Sequence, residues 1–153
     1  QKALVHFKWC CHLYREQMER GAYFLHGLPA AAASWKLPEV TSLLACSSMG
    51  RVTADQCQLG QETDEGDPIK KPTGWMSNSS DILEQLGAKC QGRNGVCSAT
   101  GRPHAICSGT TAKRAAEYPF AICKAILKGL HRHLQRVGRT GSGLNCVLPS
   151  GDS

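Results

Sequence analysis

The sequence predicts an α/β fold: the late part of a sheet with flanking helices, its N-terminal strands missing. Extended segments recur at Tyr23–Pro29, Val52–Gly60 and Lys70–Ser79. Helical apolar stripes precede and follow them, the alternation of an α/β domain. The usual cofactor-binding turn belongs to the early half of such a sheet, and no G-x-G-x-x-G, Walker loop, H-E-x-x-H or G-x-S-x-G occurs.

Residues 3–20 read as a helix, because Leu4, Phe7, Cys11, Tyr14 and Met18 fall on one stripe and Gly21 follows as a stop. Tyr23–Leu28 is a short strand closed by Pro29, and residues 30–34 form a loop or weak helical turn. Pro38 opens a second helix at its first turn, where the missing N–H is harmless. Val40, Leu43 and Leu44 face the core, and Ser47–Gly50 ends the helix.

Arg51–Cys57 and Lys71–Ser77 are expected to pair as a hairpin across a long acidic surface connection, residues 61–68. Pro72 places the second strand at an edge or at its own beginning. Ser79 or Ser80 caps a helix running to Leu86, and Gly87 ends it. Residues 90–109 read as an irregular loop, and Thr110–Glu117 as one or two helical turns. Pro119 opens the last helix, with Ile122, Ile126, Leu130 and Val137 near one face. We expect one domain over residues 1–137 and a disordered tail over 138–153.

With 153 residues, of which 41% are hydrophobic, the chain can bury one core. No apolar run approaches the roughly 20 residues of a membrane span, so no membrane partner is expected. The charged start excludes a signal peptide, and the absence of an initiator Met suggests a piece cut from something longer. Nine cysteines, an odd number, point to a reducing compartment, nuclear or cytoplasmic, with most of them acting as small buried hydrophobes.

The net charge of +6 is uneven: Arg102 to Arg139 holds eight Lys/Arg against Glu117 alone. On the last helix Lys124, Lys128, Arg132 and Arg136 recur every four residues and are the candidates for nucleic-acid contact; a solvated helix face is the alternative. Asp55 and Gln56 lie at the end of a strand, where ligands of open α/β sheets bind, although capping the next turn would also place them there. Lys71, Thr73 and Asn78 are further substrate-side candidates, and Lys70 and Lys71 also suit an edge strand. Trp9, Trp35 and Trp75 read as packing anchors.

Cys90, Cys97, His104 and Cys107 form a candidate metal set. Zinc takes four thiolate or imidazole ligands, but its strongest patterns hold two tight pairs, and only His104 and Cys107 are close here. An irregular loop with incidental cysteines is the other reading. Cys10, Cys11 and His12 are adjacent on a helix, so their side chains diverge by about 100° and make no nucleophile–base pair.

The order of Tyr23–Pro29, Ser34–Val40, Ala54–Gly60, Lys70–Ser79 and Arg114–Ile126 resembles a module of retroelement-type (retrotransposon) polyproteins of protists and fungi. That module is similar to cytosine-C5 DNA methyltransferases, whose class I fold is Rossmann-like and uses S-adenosylmethionine. The likeness covers about residues 3–137. It implies a partial, inactive methyltransferase-like domain whose nucleophile turn and cofactor loop belong to an upstream part of the same polyprotein. The module reads His-Glu-His-Pro where this chain has His26, Gly27, Leu28 and Pro29, so Gly27 occupies the carboxylate position and no catalytic residue is implied. Gln56 and Lys71 match base-proximal Gln and Arg by type and place. Cys90 and His104 are counterparts in the module's Cys-x-x-x-His-x-His loop, with Asn94 replacing the first His. A nucleic-acid-binding module, zinc-stabilised or not, and a vestigial fragment without activity are the competing functions.

Overall fold

The computed structural model describes residues 2–139, so the tail expected over 138–153 lies outside the described residues beyond Arg139. Five helices flank one small sheet: α1 (Lys2–Glu19), β1 (Leu25–Pro29), α2 (Pro38–Leu44), β2 (Gly50–Asp55), β3 (Pro72–Ser77), α3 (Ser80–Leu86), α4 (Gly109–Arg114) and α5 (Phe120–Arg136). Short 3₁₀ turns at Ala33–Lys36 and Gln56–Leu59 lead out of β1 and β2. The second of these ends the β2 strand earlier than its sequence pattern suggested.

The strand order is β1-β3-β2. Both outer strands run antiparallel to β3, with Leu25 opposite Ser77 and Gly50 also opposite Ser77. β1 and β2 therefore run in the same direction, joined through α2, and the later β3 is inserted between them. This is a split β-α-β arrangement. The expected β2–β3 hairpin is present, and Pro72 begins its strand.

The pleat sends alternate residues of β3 into two cores. Met76 faces Cys11, Phe24, Trp35, Val40 and Leu43 under α1 and α2. Trp75 faces Ala54, Ile82, Leu83, Leu86 and Ile122 under α3 and α5. The sheet is thus covered by helices on both sides. Phe7, Cys11, Tyr14 and Met18 of the expected α1 stripe pack, whereas Leu4 is 43% exposed. Trp9 is also exposed and anchors nothing, and Val137 lies outside the α5 packing face. One apolar residue at a helix end has too little neighbouring surface to bury it.

α3 and α5 cross closely because Gly129 carries no side chain: a Cβ there would lie 2.6 Å from the Ile82 Cα. Beside that crossing, the buried Asp81 carboxylate accepts from Arg136 Nε and Nη2 at 3.0 and 2.8 Å and lies 3.5 Å from Arg132 Nε. The Arg136 bond holds the Asp81 carboxyl below its ordinary range, against the opposing effect of burial.

Over the other core, Tyr14 Oη lies 2.8 Å from His26 Nδ1. Burial pushes the Tyr14 phenol up to about 12, with Cys10 and Cys11 adding to it, and burial lowers His26. The phenol therefore keeps its proton and donates to a neutral imidazole.

Replacing Gly129 by Ala forces backbone apart and is expected to cost about 1–3 kcal/mol, read as a lower urea midpoint with an unchanged slope. His26 sets a pH dependence. Its pKa is depressed by folding, so its contribution to stability is complete above the unfolded value near 6.5 and is lost as pH falls through the folded one. The urea midpoint should therefore fall less between pH 7.5 and pH 5.5 in His26→Gln than in the wild type.

Candidate metal centre

The carboxyl end of β2 meets the segment that follows α3. Asp55 N–H donates to Ala88 O at 2.9 Å, and its Oδ2 accepts from Cys90 N–H at 2.9 Å. These two bonds hold the start of the 88–105 segment against the sheet. The segment then turns twice. Asn94 and Gly95 have φ of 53° and 78°, and Val96 N–H bonds Arg93 O, the left-handed turn that an Asn-Gly pair favours. Val96 next pairs with Pro103, and Cys97 N–H donates to Arg102 O at 2.8 Å. What reads as an irregular loop is thus two tight turns.

Arg102 fixes the second turn from outside, donating to Asp67 Oδ1 at 2.6 Å and to Gly66 O at 3.0 Å. The 61–68 connection is itself folded by a Glu62–Pro68 bridge, with Pro68 and Ile69 fully buried behind it. It is more than the surface connection its composition suggests.

These turns bring Cys57, Cys90, Cys97 and His104 together, one ligand atom of each lying within 4.8 Å of the others. Three of the four expected ligands are present. Cys107 is exposed and outside the group, and Cys57 takes its place. Cys57 lies 33 positions before Cys90, and only the β2–segment contact makes them neighbours. The tight His104/Cys107 spacing was a misleading guide, because Ala105 N–H bonds Pro68 O and carries the chain away after His104.

The donor chemistry fits a cation that takes sulfur and imidazole. Cys90 Sγ lies 3.6 Å from His104 Nε2, close to the roughly 3.6 Å between S and N ligands about 2.3 and 2.0–2.1 Å from a tetrahedral zinc. His104 Nδ1 lies 2.9 Å from Gly95 O. Donation to that carbonyl places the proton on Nδ1 and leaves Nε2 with a free lone pair facing the thiols.

The sulfurs also receive donors. Gln58 Nε2 reaches Cys57 Sγ at 3.5 Å and Cys97 Sγ at 3.4 Å. Ser98 N and Oγ each lie 3.5 Å from Cys90 Sγ. Burial raises the Cys90 thiol, but the Ser98 N–H, Ser98 hydroxyl, Gly92 N–H and Cys57 outweigh it and bring it down to about 6. Cys57 moves the other way, raised chiefly by burial. A divalent ion held there would take its sulfur ligands as thiolates.

The other candidates serve the fold. Gln56 donates to Thr73 Oγ1 at 2.8 Å in the interior, and Lys71 Nζ donates to Ala115 O at the C-terminal end of α4. Asn78 bridges Phe24 N–H and Ala22 O. Asp55 holds Cys90, as described. Arg132 and Arg136 pair with Asp81, and Arg132 also with Glu84, so the basic stripe of α5 is half neutralised, while Lys124 and Lys128 are exposed. At Gly27 an added Cβ would lie 2.6 Å from Trp75 Cζ3, so the position expected to carry a carboxylate has no room for one.

Ser79, His133 and Asp81 superficially suggest a nucleophilic triad. Ser79 Oγ and Asp81 Oδ2 both meet His133 at Nδ1, at 2.9 and 3.2 Å, and Ser79 is fully buried. A triad needs the serine and the carboxylate on different ring nitrogens; this group instead clamps α3 to α5. No helix among the described residues is long and apolar enough to cross a membrane.

No family model matches this chain, and no curated protein and no solved structure matches it either.

Cys57→Ser should abolish high-affinity metal binding and Cys107→Ser should leave it intact, read as metal content after dialysis. Gln58→Ala, which removes donors from two sulfurs, should weaken the affinity by about 10–100-fold in a competition titration with a chromophoric chelator.

Proposed function

We propose that the chain is a zinc-stabilised nucleic-acid-binding module. The observation carrying this reading is the convergence of three thiols and one correctly oriented imidazole from separate parts of the chain. A complete four-ligand set of this kind suits a structural ion, which leaves no open position for a substrate. Zinc would crosslink the β2 end, the segment after α3 and the double turn, three pieces that otherwise share few apolar contacts. Nucleic acid is the partner favoured by charge. The exposed Lys124 and Lys128 on α5, and Lys89 and Arg93 on the metal-held segment, are among the cations without an ion-pair partner among the described residues and are open to phosphate. Arg132 and Arg136 would contribute little, being committed to Asp81.

A second reading, that the chain is the tail part of a class I methyltransferase-like, Rossmann-like domain, is supported by the split β-α-β arrangement. The three segments singled out by the resemblance are neighbours in one sheet with helices on both faces. On this reading the retroelement-type parent would supply the S-adenosylmethionine half from its upstream part, and equilibrium dialysis of this chain against S-adenosylmethionine should give no tight binding. Tight binding would overturn that division of labour.

Purified under reducing conditions, the protein should carry one zinc per chain. Cobalt substitution should give thiolate charge-transfer bands with tetrahedral d–d absorption, and chelation should lower the melting temperature by more than about 10 °C. A zinc-free protein with an unchanged melting curve sinks the reading. Binding to single- or double-stranded DNA or RNA should weaken at least about tenfold between 50 and 200 mM salt, and again in Lys124→Gln/Lys128→Gln.

A further inference from the structure

β1 is an outer strand with helices over both faces, and its unpaired edge is chemically specific. Ala30 N–H bonds Pro72 O, which fixes the phase of the β1–β3 ladder. Even-numbered β1 residues turn their backbone groups toward β3, and Leu25, Gly27 and Pro29 turn theirs outward. Pro29 has no N–H, and its carbonyl accepts from Trp35 Nε1 at 2.9 Å. Leu25 and Gly27 are left with two N–H and two C=O groups that have no partner among the described residues. Both residues are half-buried, so hydration satisfies these groups only in part.

The opposite edge is better protected. On β2 the same phase turns Arg51, Thr53 and Asp55 outward. Asp55 N–H is taken by Ala88 O, which docks the segment after α3 on that edge, whereas the Arg51 side chain crosses the sheet face to stack on Trp35 and bond Ala30 O. β1 carries no charged residue.

We propose that the open edge of β1 pairs antiparallel with the β1 edge of a second copy of this chain, about a twofold axis through His26. That register places Leu25 opposite Gly27 of the partner subunit and Gly27 opposite Leu25 of the partner subunit. Each pair exchanges two N–H···O bonds, so all four open donors and acceptors are satisfied and the sheet grows from three strands to six. An axis normal to the sheet keeps each helical layer beside its own kind.

The flank of α1 tolerates the approach. Lys8 and Arg15 reach Glu39 and Ser42 and so mark the side of α1 that faces α2. α1 lies over β1 through Phe7 and Tyr14 on His26, and its side turned away from α2 carries His6, Cys10 and Gln17, none of them a fixed charge. Only two residues per strand pair, so the dimer is weak and forms at high concentration.

Amide-resolved hydrogen exchange, run alongside light scattering, tests this. Between about 5 and 500 µM the mass should double and exchange at Leu25 and Gly27 should slow at least about tenfold, while His26 and Leu28, already bonded to β3, stay unchanged. The exposed-site variant His6→Lys/Gln17→Lys should weaken association, with salt restoring it. A chain that stays monomeric with both amides exchanging freely overturns the proposal, as expected if the edge waits for a strand of another polypeptide. So does a dimer that leaves these amides unprotected, or a monomer that protects them at every dilution.

Discussion

The carboxyl end of β2 is the joint on which the structure depends. At Asp55 and Gln56 the chain still serves the β2–β3 ladder on one side and begins serving the segment after α3 on the other. Asp55 takes Ala88 O with its N–H and Cys90 N–H with its carboxylate, while Gln56 N–H still bonds Lys71 O across the ladder. The next residue is Cys57. One short stretch therefore ends the strand, docks the segment after α3 and delivers a ligand. A backbone N–H bonded to a carboxylate inside a protein is among the stronger neutral–ionic contacts, and here it sets where Cys90 must lie.

From that joint the molecule divides into two kinds of stabilisation. The helical layers rest on apolar burial on both faces of the sheet and on the Asp81 group that ties α3 to α5. The 88–105 segment buries only Cys97 fully and has no regular element of its own. Its order comes from turns, from Arg102 on the 61–68 connection and, on our reading, from a metal ion. This is how small polar segments generally hold a shape that their apolar area cannot support.

Most of the secondary structure was legible. The stripe through Phe7, Cys11, Tyr14 and Met18, Pro38 at a helix start and Ser79 as a cap are local signals, and local geometry honours them. The Ser79 side chain accepts from Ile82 N–H as a cap should. The Asn94-Gly95 pair was an equally local turn signal within what was read as a loop. Trp9 failed as an anchor because exposure depends on what lies across from a helix, which no stripe records.

The sequence by itself determined most of which segments become helix and strand and that the chain is rich in soft ligands, and it offered Cys90, Cys97 and His104 as one of two readings of their loop. Only the tertiary structure decided that Cys57 completes the set in place of Cys107, that Arg132 and Arg136 face carboxylates, and that Gly27 is closed off by Trp75. The reason is one of range. Periodicity, caps and turns are set within a few residues, whereas a four-ligand site, an ion pair between helices and the space above a strand depend on which distant segments the sheet brings side by side.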